Sequence, residues 1–540
     1  MKMPLCGFPA AFMCAAALLR ADGTPSIPHI DNQGAAPRLM VDGKPFLVLG
    51  GELRNSSSSS LDYMKPLWPR LAQLRLNTVL TPVSWELIEP QEGKFDFKLV
   101  DGLMRDARVN KLRLVFLWFG SWKNSMSSYA PAWVKTGQRR FPRSRKSNGA
   151  GLEILSPFSE TNWQTDARAF AALLRHLRQV DTKHTVIMVQ VENEIGMIPE
   201  ARDHSIEANQ AFAQPAPKEL MDYLLTHKNT LVPEFRAVWE KAGFKTSGSW
   251  EEVFGPGIET EEIFTAWWFA RYTGLVAASG KAEYPLPMYV NAALIRPGYK
   301  PGQYPSGGPL PHLLDVWRAA APQIDFLSPD IYFPNFAEWC GKYHRSGNPL
   351  FIPEAIRDTA NPFYAFGQCD AMGFSPFAIE DPASSAPRPD FGRCYDVLSQ
   401  LAPVILQNQG KGTMAGVLLD ETNQTQKIHL GNFTLNVSHD YTWAGSRDPH
   451  PGPWPRFGGL IISTGPDEYL MAGSGLIVTF TSDSPADPIA GIASIEEGQF
   501  DNGRWVAGRR LNGDENHQGR HLRLVPGQFG IQLAKLYCYH

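Results

Sequence analysis

The chain has 540 residues, too many for one ordinary core, so we expect a large domain and at least one smaller one. A formal net charge of −3 leaves no field strong enough to recruit nucleic acid or anionic lipid, which points to a neutral partner. The 15 Trp, 16 Tyr and 30 Phe supply flat apolar faces that suit sugar rings, although most aromatic side chains serve the core.

Residues 1–21 have the layout of a signal peptide. Lys2 precedes an apolar stretch from about Leu5 to Leu19, and small residues follow. The stretch is short for a membrane span, and no other apolar run approaches about 18 residues. We therefore expect a periplasmic or secreted protein without a membrane span.

The cysteines indicate neither a zinc site nor a redox motif. Two would leave with the signal peptide, and the other four are widely spaced without a C-x-x-C pair: Cys340, Cys369, Cys394 and Cys538. One disulfide, for example between Cys340 and Cys369, is left open by the sequence.

From about Pro37 to Asp381, short apolar runs that end in polar residues alternate with longer amphipathic segments. This is the pattern of repeated βα units. We predict a (β/α)8 barrel over residues 30–385. Its eight strands are predicted at residues 45–52, 77–85, 112–120, 185–194, 286–294, 323–333, 349–355 and 372–380.

The pattern changes after a predicted closing helix and connection at residues 386–411. Residues 412–540 contain only short alternating runs separated by Gly, Asp, Asn and Pro, which predict an antiparallel β-sandwich accessory domain. This domain packs on the barrel or binds polysaccharide on its own, a role that Trp443, Trp454 and Trp505 would permit. An exposed edge of such a domain would also suit a homodimer.

Two predicted barrel strands end in carboxylates, at the position where barrels carry their catalytic residues. An apolar run from Val186 ends in Glu192, Asn193 and Glu194, and a second run ends in Glu354. Alternation places Glu192 and Glu194 on one face of the strand unless the strand ends or bulges there. Glycoside hydrolysis requires one protonated and one ionised carboxyl group, so Glu194 and Glu354 form a candidate catalytic pair.

Several segments resemble glycoside hydrolase family 35. Residues 189–196, VQVENEIG, resemble its acid/base signature, and residues 42–52 and 76–97 resemble its first two strands. The resemblance covers about residues 37–380, and the β-rich segment resembles the accessory domain of a bacterial branch. It implies a retaining exo-β-galactosidase in which Asn193 contacts the sugar 2-hydroxyl, Glu194 is the general acid/base and Glu354 is the nucleophile.

The chain also departs from this family. Members close to the animal lysosomal enzymes have Tyr after the Asn-Glu pair and a Glu-Trp motif after the third strand. This chain has Ile195 and the sequence Gly120 to Asn124 at those places. The substrate contacts of the loop after the third strand therefore do not follow from the resemblance.

Further residues at strand ends are candidates for binding the substrate. Tyr332 could donate a hydrogen bond to the ionised nucleophile, with core packing as the alternative. Three polar residues end the first, fifth and sixth strands, where they could bind sugar hydroxyls or form rim salt bridges: Glu52, Asn291 and Asp330. Candidates for stacking on a sugar ring are Trp118, Trp122 and Trp339.

No H-E-x-x-H pattern and no glycine-rich phosphate loop after a strand is present, so we expect neither a metal nor a cofactor. The expected reaction is hydrolysis of terminal β-D-galactosyl residues of plant-derived oligosaccharides, for example xyloglucan. Two alternatives are left open. One is a related glycosidase for another sugar, an α-L-arabinosidase or a β-glucosidase, and the other is a carbohydrate-binding protein without turnover.

Overall fold

The computed structural model describes residues 26–345, 347–381, 390–440, 454–501 and 503–540. The predicted signal peptide and Trp443 lie outside these described residues. Among the helices described, none combines the length and the apolar character that crossing a membrane requires. The described cysteines are free thiols, so the disulfide that the sequence left open is not formed here.

Eight parallel strands close into a barrel, which confirms the predicted fold. A small antiparallel sheet precedes it, made of β1 (His29–Asp31), β2 (Arg38–Val41) and β3 (Lys44–Pro45). The barrel strands, each a predicted one, are β4 (Val48–Glu52), β5 (Thr78–Ser84), β6 (Arg113–Lys123), β9 (Val186–Asn193), β10 (Met288–Ala293), β11 (Phe326–Ile331), β12 (Phe351–Ala355) and β13 (Gly373–Pro376). A hairpin of β7 (Arg143–Arg145) and β8 (Gly151–Leu155) lies in the loop after β6.

Helices follow the barrel strands and form the outer layer. The first five helices are α1 (Leu61–Met64), α2 (Leu67–Gln73), α3 (Trp85–Ile88), α4 (Lys98–Val109) and α5 (Ala132–Thr136). The middle of the chain carries α6 (Glu160–Val180), α7 (Ile206–Phe212), α8 (Lys218–Thr226), α9 (Pro233–Lys241), α10 (Trp250–Phe254) and α11 (Ile258–Glu283). The last ones are α12 (Leu314–Ala320), α13 (Phe336–Tyr343), α14 (Asn361–Cys369) and α15 (Phe391–Asn408).

The barrel strands are apolar on both faces because both faces are buried. In β6, Leu114 and Phe116 belong to the core between barrel and helices, whereas Val115 and Leu117 belong to the core inside the barrel. The inner core also contains Leu39 of β2 and residues that begin barrel strands, such as Val48. The small sheet therefore covers the end of the barrel where the strands begin, and the opposite end is left for the predicted site.

Two antiparallel sheets follow the barrel, as predicted. One has the order β14 (Met414–Leu419), β17 (Phe457–Gly465), β18 (Glu468–Gly473), β23 (Gly530–Tyr539), β20 (Ile489–Asp501), β21 (Arg504–Leu511). The other has the order β15 (Thr425–Leu430), β16 (Phe433–His439), β19 (Leu476–Ser482), β22 (Leu522–Leu524). A core of its own lies between the two sheets.

The six-stranded sheet is buried on both faces where β14, β17 and β18 lie. In β17, Phe457 and Ile461 face the core between the two sheets, while Leu460 and Ile462 belong to the core of the barrel domain. This alternation of period two places the sheet as a layer between α14 and the four-stranded sheet. The predicted accessory domain therefore packs on the barrel domain through one face of this sheet, and binding of polysaccharide by this domain stays a prediction.

Candidate active site

Three carboxyl groups meet at the end of the barrel where the strands finish. One oxygen from each of Glu194, Asp330 and Glu354 lies within 4.8 Å of the other two, and all three side chains are buried. Asp330 of β11 and Glu354 of β12 are direct neighbours across the sheet. Glu194 comes from the residue after β9, so the barrel closure brings together residues that are far apart in the sequence.

The backbone at the end of β9 directs Glu194 into the site. Glu192 and Glu194 have positive φ angles of 63° and 44°, which interrupt the extended conformation of the strand. The two glutamates were expected on one face, but Glu192 faces Trp122 and Asp166, whereas Glu194 faces Asn124 and the other carboxyl groups. The left-handed backbone turns the two side chains in different directions.

Glu354 receives hydrogen bonds that favour its ionised form. The hydroxyl of Tyr332 donates to Oε1 of Glu354. The carboxyl of Glu52, at the end of β4, also hydrogen-bonds to Glu354, and burial raises the pKa of Glu52 well above its ordinary value. Glu52 therefore carries a proton that it can donate to Glu354.

Burial raises the pKa of Glu354 to about 7, and the nearby charge of Glu194 acts in the same direction. Lys123, Tyr332 and Glu52 act in the opposite direction on this pKa. The charge of Lys123 and the hydrogen bonds from Tyr332 and Glu52 thus favour a negative charge on Glu354, against the effect of burial.

Glu194 is held by the segment that follows the barrel part of β6. Nζ of Lys123 lies 3.8 Å from Oε2 of Glu194, and both side chains are more than nine-tenths buried. The amide of Asn124 donates a hydrogen bond to the same carboxyl oxygen. Lys123 places a positive charge in a cluster of carboxyl groups and lowers the pKa of Glu52, Asp330 and Glu354.

Amide side chains connect the carboxyl groups and leave polar atoms available. Asn291 accepts a hydrogen bond from the backbone N–H of Glu194 at 3.0 Å and donates one to Asp330 at 2.6 Å. The side-chain oxygen and nitrogen of Asn193 are buried and have no hydrogen-bond partner among the described residues. Because an unpaired buried polar group is costly, Asn193 and the free oxygen of Asp330 are suited to bind ligand hydroxyls.

A pocket of about 590 Å³ opens beside the carboxyl groups of Glu194 and Asp330. Glu194, Asp330 and Tyr332 lie in its lining, and the loop after β10 provides much of the wall. Exposed aromatic faces are present there, since Tyr299 is 44% exposed and Tyr332 is 42% exposed. The pocket can therefore offer a sugar carboxyl groups for hydrogen bonding as well as apolar surface for packing.

The predicted stacking role of Trp122 is wrong. Its ring is fully buried against Phe269 and Tyr272, and its Nε1 donates to the backbone oxygen of Leu155 at 3.1 Å. Trp118 is also fully buried, with Nε1 bonded to Asp166 at 2.9 Å. These bulky indoles in the second half of the third barrel strand fill the space between barrel and helices, so no substrate ring reaches them.

Trp339 is not suited for stacking on a substrate either. It belongs to α13, is 7% exposed and packs on Phe333, which lines the pocket. The ammonium of Lys342 lies over its ring at 4.6 Å from the ring centre. Trp339 therefore supports the pocket wall through Phe333, and the predicted direct contact is corrected accordingly.

Sequence reasoning missed several residues of the site. Lys123 and Asn124 belong to the segment where the sequence departs from family 35. That departure was the signal that could have drawn attention to these two residues. The loop after β10 contributes Arg296, Tyr299 and Gln303, for which the sequence offered no motif. These residues come from long connections whose course periodicity does not predict.

Parts of the chain match known sequence families. Residues 65–266 match glycoside hydrolase family 42, described as β-galactosidase, and residues 391–523 match a family described as a domain of unknown function, DUF5597. A β-galactosidase from Xanthomonas manihotis is 31% identical over 214 residues, which are 37% of this chain and 32% of that protein. The match thus spans about a third of the length of this relative.

Solved structures with a similar arrangement include a β-galactosidase from the psychrophilic Marinomonas ef1, with a TM-score of 0.46 and 12% identity over 67% of this chain and 60% of that one. The catalytic domain of a β-amylase from Paenibacillus polymyxa has a TM-score of 0.43 and 12% identity over 67% of this chain and 98% of that one. The match to family 42 suggests that family, and the resemblance to family 35 is not confirmed. Residues 65–266, which include the barrel strands β5, β6 and β9, are thus related in sequence to β-galactosidases, which are glycoside hydrolases.

Proposed function

We propose that this chain is a retaining exo-β-galactosidase, with Glu194 as general acid/base and Glu354 as nucleophile. The observation that carries the proposal is the approach of a carboxyl oxygen of Glu194 to one of Glu354, within 4.8 Å at the end of the barrel. Retaining glycosidases have carboxyl groups about 5 to 5.5 Å apart, whereas inverting ones need about 6.5 to 9.5 Å to admit a water. The short separation favours retention.

In the first step, a carboxylate oxygen of Glu354 attacks the anomeric carbon while Glu194 transfers its proton to the glycosidic oxygen. The bond to the leaving group breaks, and a glycosyl ester with Glu354 forms. In the second step, Glu194 takes a proton from water, the water oxygen attacks the anomeric carbon, and Glu354 leaves as a carboxylate. Both glutamates return to their initial state.

The neighbours of each carboxyl group support the proposed assignment of the two roles. Tyr332 and the protonated Glu52 donate to Glu354, which favours a negative charge there. Glu194 lines the pocket through which the leaving group departs and water enters. Asn193 is placed beside Glu194 with free polar atoms, which supports its role in binding the sugar 2-hydroxyl.

The choice of galactose rests on the sequence relationship, because epimers differ by one hydroxyl group. A panel of nitrophenyl glycosides tests it with the wild type and with Glu354→Gly. We expect the β-D-galactoside to be cleaved faster than the α-L-arabinoside and the β-D-glucoside, and we expect azide to restore turnover in Glu354→Gly. Faster cleavage of another glycoside would mean that galactose is not the preferred sugar. No cleavage of any glycoside would favour a carbohydrate-binding protein.

The natural substrate is proposed to be a plant-derived oligosaccharide with terminal β-galactosyl residues, such as a fragment of xyloglucan. Its leaving group would occupy the part of the pocket lined by Arg296, Tyr299 and Phe333. Release of galactose from such fragments, without cleavage of the backbone, is the expected product pattern. Secretion, the domain boundaries and a homodimer stay predictions.

A further inference from the structure

Two buried carboxyl groups lie outside the catalytic cluster and have no role in the steps above. They are Asp166 of α6 and Glu192 of β9, and neither is exposed to solvent. Both approach Gly120 closely: a Cβ atom added to this glycine would lie 2.6 Å from Oε1 of Glu192 and 2.8 Å from Oδ1 of Asp166. The two carboxyl groups are thus hydrogen-bonding neighbours, and residue 120 must lack a side chain.

This pair of carboxyl groups occupies a break in the pairing of β6 with β9. Trp118 pairs with Val191 and Lys123 pairs with Asn193, so residues 119–122 of β6 lie opposite one residue of β9. The extra residues form a bulge, and their N–H groups cannot all bond to the neighbouring strand. Asp166 and Glu192 accept hydrogen bonds from two of these N–H groups. The N–H of Ser121 donates to Asp166 at 3.1 Å, and the N–H of Trp122 donates to Glu192 at 2.7 Å.

The bulge determines what surrounds Glu194. It ends at Lys123, which approaches the Glu194 carboxyl, and it is followed by Asn124, whose amide bonds to that carboxyl. The backbone N–H of Asn124 donates to the backbone oxygen of Asn193 at 3.2 Å, and the backbone N–H of Ser125 donates to the backbone oxygen of Glu194 at 3.2 Å. A displaced bulge would therefore displace the neighbours of the proposed general acid.

The surroundings of the pair favour one shared proton. The groups that face it are Nε1 of Trp118 and two backbone N–H groups from β6, with the phenol of Tyr272 from α11 and the hydroxyl of Ser121. These groups carry no positive charge. Two ionised carboxylates in contact at such a place would repel strongly without compensation, so one of them holds a proton.

The hydrogen bonds also indicate which carboxyl is protonated. Asp166 accepts from Trp118 at Oδ1 and from Ser121 at Oδ2, so both of its oxygens face donors. No donor among the described N–H and hydroxyl groups reaches Oε1 of Glu192, whose neighbour is Asp166. Burial raises the pKa of both groups, and that of Glu192 rises well above its ordinary value. The proton belongs on Glu192, from which it is donated to Asp166.

We propose that Asp166 and Glu192 form a carboxylate–carboxylic acid pair that holds the β6 bulge and thereby positions Lys123 and Asn124 on Glu194. The pair consists of positioning residues, since neither carboxyl reaches the reacting atoms. Its effect on catalysis rests on the proposed function, but its effect on folding does not. Because the pKa of Glu192 is raised in the fold, the stabilisation is complete at acidic pH and is lost as the pH rises through that value.

The test exploits the asymmetry of the pair. In Glu192→Gln, the amide oxygen can accept from Trp122 and the amide nitrogen can donate to Asp166, so every hydrogen bond is kept without a titrating proton. In Asp166→Asn, the amide nitrogen must face the N–H group of either Trp118 or Ser121. At least one hydrogen bond is therefore replaced by an unfavourable contact between two donors. Glu207→Gln, on the exposed surface of α7, is the control.

The first readout is the unfolding temperature between pH 6 and pH 9. We expect Glu192→Gln to fold, and to lose less stability over this range than the wild type and the control do. We expect Asp166→Asn to be less stable than Glu192→Gln at every pH. Equal unfolding temperatures of the two variants, or a pH dependence of Glu192→Gln equal to that of the wild type, would overturn the proposal even if the protein had no glycosidase activity.

The second readout is activity on two galactosides that differ in leaving group. Dinitrophenyl galactoside needs little protonation of its leaving oxygen, whereas methyl galactoside depends on the general acid. We expect Asp166→Asn to lose at least tenfold more kcat on the methyl than on the dinitrophenyl substrate, and Glu192→Gln to keep the wild-type ratio. An equal loss on both substrates would mean that the pair supports the fold only and would contradict its positioning role.

Discussion

The phenol of Tyr332 donates a hydrogen bond to Oε1 of Glu354, and the same phenol lies in the wall of the open pocket. Tyr332 follows the last residue of β11, whereas Glu354 belongs to the neighbouring strand β12. The bond therefore joins the two strand ends at which Asp330 and Glu354 meet. It stabilises the negative charge that a nucleophile needs.

Replacement of this phenol is the first prediction. Tyr332→Phe removes a hydrogen bond to a charged group, which is worth about 1.5–3 kcal/mol, and we expect kcat/KM to fall about 10- to 100-fold. The acidic limb of the pH profile should move to higher pH, because Glu354 loses a group that lowers its pKa. Tyr537→Phe, on an exposed C-terminal strand, is the control. An unchanged acidic limb would show that Tyr332 does not act on Glu354.

Glu52 offers a second prediction, since we expect it to be neutral. Glu52→Gln keeps a donor for Glu354, so kcat/KM should stay within about threefold of the wild type. Glu52→Ala removes the donor and leaves a cavity, and it should lower kcat/KM by at least about tenfold. Steady-state kinetics on nitrophenyl galactoside would decide. Inactivation by Glu52→Gln as complete as that by Glu52→Ala would mean that Glu52 acts as an ionised group.

Lys123 gives a third prediction. Its positive charge lowers the pKa of Glu354, so Lys123→Met should raise this pKa and move the acidic limb of kcat/KM to higher pH. Activity near pH 6 should fall more than activity near pH 8. Lys98→Met, at a side chain that is 91% exposed, should leave the profile unchanged. A uniform loss at every pH would indicate that Lys123 matters for packing and not for charge.

A fourth prediction concerns stability and pH. Burial raises the pKa of Glu354 to about 7, so its ionisation destabilises the fold: the stability is complete below about pH 4.5 and is lost as the pH rises through about 7. Glu354→Gln cannot ionise and should be more stable than the wild type at pH 8, by up to about 3 kcal/mol. At pH 4.5 the two proteins should unfold alike. Denaturant unfolding at both pH values measures the free energy of unfolding of the two proteins. A difference between them that is equal at both pH values would contradict the raised pKa of Glu354.

The sequence predicted the barrel because its strands are buried on both faces and read as continuous apolar runs. It also indicated Glu194 and Glu354, since a carboxylate after such a run has few structural explanations. The different directions of Glu192 and Glu194 were not predictable, because they depend on positive φ angles that the sequence pattern does not reveal. The contact of Lys123 with Glu194 depends in turn on the β6 bulge.

The aromatic residues show a second limit of sequence reasoning. Trp118 and Trp122 occupy the loop side of a strand, where a stacking role was reasonable, yet both fill the layer beneath α6 and α11. The exposed aromatic side chain of Tyr299 lies instead in the connection after β10. A tryptophan side chain is large and mainly apolar, so the packing of its neighbours decides whether one face of the ring stays exposed.

The central claim is that Glu354 forms a covalent bond with the sugar, and trapping of that intermediate tests it most directly. The protein is incubated with 2-deoxy-2-fluoro-β-D-galactosyl fluoride, which slows breakdown of the intermediate, and is then analysed by mass spectrometry before and after digestion. We predict a mass increase of one fluorogalactosyl group, located on the peptide that contains Glu354 and absent in Glu354→Gln. A label on Glu194, or turnover with inversion and no label, would contradict the claim.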